Sequence, residues 1–316
     1  MELSVVLVNH NGAAVLPSSL GALARNTAAA EVEGIVVDSG SADGSWEGVE
    51  RHWERARAVR FEENIGFCAG CNRGAEAATG RFVAFVNFDA EVEEGWDEPL
   101  RALLEDPSVA VATGVLLRPD GARLEAAGLE IAPNMATYGR LDGELRGDLP
   151  AEPFDVEAAS GALMMVRREE FMALGGFYEP LFMYGEEADY CLRVSGRIAL
   201  DPRSAIRHEQ GHASGPLRST TRLYWPSRNR LLLAARHLPP LALAKSVASS
   251  AAFDLVTLAQ ARSTEAAKAI GRGWRDGLGG MRAERRARKP SERRAAAGRL
   301  VSFRAALREQ QRLGRL

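Results

Sequence analysis

The strongest restriction on this chain is an alternation, near its start, of short β-branched runs with helical patterns. Residues 3–8 read as a strand and 15–26 as a helix with Pro17 in its first turn. Residues 34–37 form a second strand, followed by the turn-rich run Ser39-Gly40-Ser41-Ala42-Asp43-Gly44. Asp43 or Ser45 is placed to cap a helix running to Arg57. Residues 58–61 are a third strand, 68–79 a helix stopped by Gly80, and 82–88 an apolar strand suited to burial in a parallel sheet. Elements in that order make an open α/β sheet flanked by helices, whose ligands bind at the carboxyl ends of the strands.

Beyond Asp106 the pattern changes. Residues 109–117 and 123–131 flank Pro119-Asp120-Gly121, so a β-hairpin is expected. The Gly- and Pro-bearing stretch 132–153 reads as a loop over the site. Residues 162–166 read as a strand, 168–174 as a helix ended by Gly175-Gly176, 186–194 as a helix, and 197–200 and 204–207 as two short strands. From Leu217 the reading is mainly helical. The net charge of −2 hides an uneven distribution: residues 271–316 hold 14 Lys+Arg against 4 Asp+Glu, leaving −12 on residues 1–270. A basic tail of this kind meets an anionic surface or partner, or is simply solvated. The stretch 241–260, interrupted by Lys245 and Asp254, falls short of the ~20 uncharged residues of a membrane span. No signal-like segment opens the sequence, and three Cys do not make a disulfide framework, so a cytoplasmic location is expected.

Four polar clusters fall where such a sheet places a ligand: Asn9-His10-Asn11-Gly12, Asp38-Ser39-Gly40-Ser41, Asn64-Ile65-Gly66-Phe67 and Asn87-Phe88-Asp89. One polar turn after a strand is usually only a turn; four in succession on one sheet edge converge on a crevice. Asp89, on a short turn after a buried strand, suits a hard divalent cation facing a diphosphate leaving group. Taken alone it reads at least as well as a cap for the turn near Glu93. In Tyr184-Gly185-Glu186-Glu187-Ala188-Asp189, helical geometry puts Glu186 and Asp189 on one side and turns Glu187 about 100° away. A carboxylate among Phe177, Tyr178, Phe182 and Tyr184 has the proton affinity of a general base, although the helix dipole favours acids there in any case. His208, in Arg207-His208-Glu209-Gln210-Gly211-His212, follows a strand and is a candidate metal or diphosphate contact. Cys68 and Cys71 lack a second ligand pair or a redox context and read as small packing residues. Neither a G-x-G-x-x-G run after the first strand nor a P-loop motif is present, which argues against dinucleotide oxidoreductases and P-loop NTPases.

The ordered runs Val5-Val6-Leu7-Val8-Asn9-His10-Asn11, Val36-Val37-Asp38-Ser39-Gly40-Ser41-Ala42-Asp43-Gly44-Ser45 and Asn64-Ile65-Gly66-Phe67 through Asn72-Arg73-Gly74 resemble the family-2 inverting glycosyltransferases. Asn87-Phe88-Asp89-Ala90-Glu91-Val92 is similar to the N-P-D-x-E-V of their rhamnosyltransferase-like branch. Ser160-Gly161-Ala162, Gly175-Gly176-Phe177 and residues 182–193 are similar to its S-G-A, G-G-F-D-E and F-x-Y-x-E-D-x-D-L-C-x-R motifs. The likeness runs from about residue 3 to residue 237. It implies a GT-A fold: an α/β mixed central sheet flanked by helices, with a Rossmann-like nucleotide half. The implied catalytic domain is 1–215, its nucleotide-sugar half about 1–107 and its acceptor half about 108–215, followed by a mainly helical extension, 216–316, with a basic tail. It also implies a nucleoside-diphosphate sugar donor, with Asn9, Asn11, Asp38, Ser39, Asn64, Gly66, Asn72 and Asn87 on the donor side. A divalent metal, Mg2+ or Mn2+, is implied on Asp89 with His208 near it, and Glu187 stands at the base position with Glu186 and Asp189 as supporting acids. Two departures stand out. Asn87 replaces the first Asp of a full D-x-D, leaving Asp89, with Glu91, to hold the ion; Glu187 replaces the usual Asp base and is one methylene longer.

The reaction this resemblance implies is an in-line displacement with inversion, in which Glu187 deprotonates an acceptor hydroxyl. Asp38, Asp89, Glu187 and His208 are then expected to line one cleft. The donor the resemblance implies is dTDP-rhamnose, while the largely apolar stretch 241–260 beside the basic tail points to a lipid-linked glycan or polysaccharide as acceptor. Residues 241–316 either touch the inner membrane face peripherally or pack their apolar stretch on the catalytic domain or a second subunit; a homodimer is left open, and nothing points to nucleic acid. Two rivals stand beside this reading. A nucleotidyltransferase would need a Gly-rich, Arg-containing first loop that is missing here, and a nucleotide-sugar-binding protein without turnover is favoured only by the Asn87 and Glu187 departures.

Overall fold

The computed structural model describes residues 1–208, 219–287 and Leu300. They group into two compact units: residues 1–129, 139–182 and 193–208 form the first, and residues 130–138, 183–192 and those from 219 on form the second.

The first unit opens with β1 (Leu3–Asn9), α1 (Leu16–Asn26), β2 (Val32–Ser39), β3 (Ala56–Phe61), α2 (Gly66–Ala77) and β4 (Phe82–Val86). It continues through β5 (Ala90–Val92), α3 (Asp97–Glu105), β6 (Val109–Leu117) and β7 (Leu124–Ala126). The chain then forms β8 (Leu129–Ile131) and β9 (Thr137–Gly139), which pair with each other. It returns with β10 (Phe154–Asp155), β11 (Leu163–Arg167), α4 (Arg168–Ala173) and, after α5 (Glu186–Arg193), β12 (Arg197–His208). The sheet order is β10-β12-β6-β11-β4-β1-β2-β3, with β5 paired to β12 and β7 to β6. β4, β1, β2 and β3 run parallel, so their carboxyl ends share one edge; β11 runs antiparallel between β4 and β6 and makes the sheet mixed.

Burial explains the sequence pattern. Every residue of β1 and β4 is buried, as expected of strands covered on both faces. α1 turns Leu16, Leu20 and Leu23 inward at helical spacing, and its Pro lies in the first turn, where no N–H bond is lost. Phe85, Phe171 and Phe177 form a ring cluster with centroids 4.9–5.2 Å apart. Phe177, expected beside the acidic helix, is thereby committed to this core.

Several expectations change. Residues 45–57 do not form an α-helix: Gly48 adopts φ 71°, a left-handed conformation that interrupts helical propagation, and only the short 3-10 turn Val49–Arg51 follows. Trp53 instead buries itself against Gly34 of β2. The second arm of the expected hairpin is split into β7 and β8, and the stretch expected to be loop contains β9. The two short strands expected at 197–207 are one strand, β12, with an irregularity between Leu200 and Ala205. Pro202, which has no N–H to give a ladder, falls within that irregularity.

The second unit contains α6 (Thr220–His237), α7 (Pro240–Ala261) and α8 (Thr264–Ala287). Ser219 caps α6 by accepting from the Arg222 N–H. The stretch expected to fall short of a span forms α7, which by length and composition is apolar enough to cross a membrane: its two charges leave long uncharged runs. The remainder of the basic tail, residues 288–299 and 301–316, lies outside the described residues.

Candidate active site

Strand register assembles the donor-side residues. Asn9 ends β1 opposite Asp38 of β2. The Asn9 amide donates to Asp38 Oδ1 at 2.8 Å, to Ser41 Oγ at 3.2 Å and to Ser45 Oγ at 2.8 Å. Ser41 donates its hydroxyl to Asp38 Oδ1 at 2.5 Å, and its own oxygen receives the Asn11 N–H at 2.9 Å. Asn11 in turn accepts from the Ala42 N–H, and Asp43 from the Ala13 N–H. The loops after β1 and β2 are thus joined at several points. One buried acceptor, Asn9 Oδ1, has no hydrogen-bond partner among the described residues.

Ser39, Asn64 and Gly66 form a second bracket. Ser39 donates to Asn64 Oδ1 and accepts the Ile65 N–H, while Asn64 accepts the Gly66 N–H. The Phe182 ring fills the space over the Gly66 Cα. Gly66 was expected on the donor side, but its bareness makes room for that ring. Asn72 is a clearer correction. Its amide donates to the Phe177 carbonyl and Glu179, and its oxygen accepts the Phe177 N–H, so the side chain holds the turn after α4.

The expected metal pair is brought together by a long-range register. β5 pairs with the end of β12, placing His208 opposite Ala90 and next to Asp89. His208 Nε2 stands 3.3 Å from Asp89 Oδ1 and 3.1 Å from the Asn87 amide. Its Nδ1 lies 3.0 Å from Glu125 of β7. Glu125 went unnoticed in the sequence; its only signal there is a polar position between Leu124 and Ala126, both buried. Burial opposes the imidazolium, but hydrogen bonds to Asp89 and Glu125 outweigh it and push the His208 pKa up to about 10, so a cation on Nε2 would have to displace that proton. Glu91, expected to help hold the ion, instead receives the Ser18 hydroxyl. Residues 209–212 of the His motif lie outside the described residues.

The donor set fits a divalent cation. A carboxylate and an imidazole face one another, and the second ring nitrogen is oriented by a carboxylate, as in many metal-bound histidines. Among the described residues no three His, Cys, Asp or Glu converge on one point. Among those residues a site built here would have two protein ligands, leaving positions open for the phosphates of a donor.

The acidic cluster belongs to the second unit. Tyr184 and Gly185 both take left-handed conformations, φ 69° and 89°, and launch α5 from a sharp turn. Asn229 of α6 donates to the carbonyls of Met183 and Tyr184 at 2.8 and 2.9 Å and fixes that turn. Sequence reading gave Asn229 no role. The turn brings Glu186 and Glu187, expected about 100° apart, into hydrogen-bond contact. Both are nearly buried, at 6% and 8% exposure. Burial raises both proton affinities, and Glu186 more, because the Glu187 charge adds to it. Glu187 also accepts from Thr137 at 3.2 Å. Asp189 is fully buried and paired with Arg236 at 2.9 Å and His237 at 2.7 Å. It anchors α5 to α6.

Comparison with known proteins follows the same lines. Residues 4–173 match the family model described as Glycosyl transferase family 2. The chain is 30% identical over 164 residues to a putative polypeptide N-acetylgalactosaminyltransferase 13 of Drosophila melanogaster, covering 48% of this chain and 29% of that protein. It is also 30% identical over 181 residues to the pre-mycofactocin glycosyltransferase of Mycobacterium tuberculosis, covering 55% and 37%. The chain thus spans about a third of the length of these curated relatives. Among solved structures it is similar to S. aureus TarS residues 1–349 in complex with UDP-GlcNAc, with a TM-score of 0.57, 17% identity, and 94% and 91% coverage. It is also similar to the mannosyltransferase PcManGT of Pyrobaculum calidifontis in complex with GDP-Man and Mn2+, with a TM-score of 0.55, 20% identity, and 94% and 86% coverage. At those identities the likeness shows a shared GT-A fold.

Proposed function

Because the chain belongs to glycosyl transferase family 2, we propose that it transfers a sugar from a nucleoside diphosphate to a hydroxyl acceptor, with inversion at the anomeric carbon. The observation that carries this reading is the Asp89–His208 pair, oriented by Glu125 beside the polar loops at the carboxyl ends of β1, β2 and β4. Asn9, Asp38, Ser41 and Asn11 would hold the nucleoside. Asp89 and His208 would hold a divalent cation. When bound, such a cation supplies positive charge against the departing diphosphate.

Glu187 is the base. It is buried, which raises its proton affinity toward that of a hydroxyl-activating carboxylate. Glu187 takes the acceptor proton as the hydroxyl oxygen attacks the anomeric carbon and the sugar–phosphate bond breaks. A lipid-linked glycan or polysaccharide is the acceptor this reading favours, and the cytoplasm the place of reaction.

The test is nucleoside-diphosphate release from a panel of UDP-, GDP- and dTDP-sugars, dTDP-rhamnose among them, with Mn2+, Mg2+ or EDTA. Release from at least one donor, lost with EDTA, is expected. A product that keeps the donor's anomeric configuration would refute the displacement. Donor binding without any release would favour the non-catalytic rival.

A further inference from the structure

Helix α7 is built inside out. Its buried positions, Ser246, Ser250 and Asp254, recur every four residues and carry hydroxyls and a carboxylate. Its exposed positions follow the same period on another side and include Leu241, Ala244, Ala248, Ala252, Leu255 and Val256. Leu241 is 71% exposed and Leu255 66%. A helix on a water-facing surface has the reverse pattern, apolar inward and polar outward.

The polar side is fixed within its own unit. Arg230 of α6 donates to Asp254 at 2.6 Å, and the Trp274 indole N–H of α8 donates to its other oxygen at 2.7 Å. At about 33 Å, α7 is long enough to cross a hydrocarbon layer. Crossing would strip it from α6 and α8 and carry Asp254 into lipid without Arg230. The arrangement that keeps this ion pair and still covers the apolar stripe has the helix lying flat.

Charge identifies what covers it. The exposed side of α7 carries Lys245 and no carboxylate, since its one acid is the buried Asp254. Arg262 is exposed just past its carboxyl end. α8 exposes Arg272, Arg282 and Arg286, and residues 288–316 of the sequence hold nine Lys+Arg against two Asp+Glu. A second copy of the chain would bring like charges together, whereas an anionic lipid surface complements them. We propose that α7 lies in the plane of an anionic membrane surface, its Leu241–Val256 stripe among the acyl chains and its flanking cations at the head groups. This inference does not depend on the reaction proposed above.

The test is flotation of the full chain with vesicles of phosphatidylcholine alone and of equal parts phosphatidylcholine and phosphatidylglycerol. Binding is expected to the anionic vesicles and to weaken with salt. Substituting Leu255→Gln with Val256→Gln should reduce partitioning about tenfold, leaving the melting curve and nucleoside-diphosphate release unchanged. Lys245→Glu should weaken binding to the anionic vesicles. If the double variant fails to fold, Leu241→Gln at the far end of the stripe gives the same reading. Equal binding to both vesicle types, or binding indifferent to these substitutions, overturns the proposal. So does a lipid-free dimer, seen by sedimentation, that the double variant abolishes; the stripe would then belong to a second copy.

Discussion

The imidazole of His208 presents its Nδ1 to the Glu125 carboxylate at 3.0 Å while its Nε2 faces Asp89. A carboxylate on the far nitrogen fixes the ring's orientation and raises the basicity of the near one. Glu125→Gln keeps a hydrogen-bonding group of the same size but removes the charge. The metal concentration for half-maximal nucleoside-diphosphate release should rise about 10–100-fold, with the rate at saturating metal nearly preserved. A Mn2+ titration of the variant against the parent checks this. An unchanged titration would show that Glu125 has no part in the site.

Glu187 and Glu186 share a hydrogen bond, yet the two should respond differently to substitution. Glu187→Gln removes the proton acceptor, and turnover should fall about 10²–10⁴-fold while donor affinity holds. Glu186→Gln keeps a neutral donor to Glu187 and should cost far less. As the proposed base, Glu187 would work when deprotonated, and burial raises its pKa. The acid limb of the rate profile should therefore lie above the ordinary Glu value of about 4.3, with activity lost as pH falls through it. Steady-state rates from pH 4 to 8 for parent and Glu186→Gln measure both effects.

The same pair makes stability depend on pH. Glu186 has a folded-state pKa raised by burial and by the neighbouring charge, so the folded state holds its proton more tightly than the unfolded chain does. Stability from this group is then present below the unfolded value of about 4.3 and declines as pH rises through the raised folded value. Glu186→Gln, which cannot ionise, should flatten that decline. Melting curves across the range decide the matter: identical slopes in parent and variant would show that Glu186 ionises as freely folded as unfolded.

The sheet was legible because buried strands and amphipathic helices announce themselves locally. β1, β4 and α1 each carry their pattern within a dozen residues. Asp89 and His208 were legible through motif likeness, but their contact arises from the pairing of β5 with the end of β12, which no local pattern encodes. Glu125 and Asn229 were invisible for the same reason: each acts on a group far away in the chain, His208 and the Met183–Tyr184 turn. The helix expected at 45–57 failed where Gly48 took a left-handed conformation. Asp189 and Asn72 looked functional by position, and only their buried partners show that they hold the frame.

Asn229 offers the last prediction. Its amide spans the carbonyls of Met183 and Tyr184, next to two consecutive left-handed residues that set the direction of α5. Such a backbone is costly and persists only when its surroundings hold it. Asn229→Ala removes both bonds to these part-buried carbonyls, each worth about 0.5–1.5 kcal/mol. The melting temperature should drop by several degrees. The turn carries Glu186 and Glu187, so turnover should fall further than donor affinity, because the proposed nucleoside contacts lie on the loops after β1 and β2. Asn229→Asp is the informative companion: it is nearly isosteric but offers acceptors to carbonyls that need donors. It should be at least as damaging as Ala. Parallel melting and steady-state measurements test both variants, and an aspartate variant with parent-like turnover would show that the turn holds without the strap.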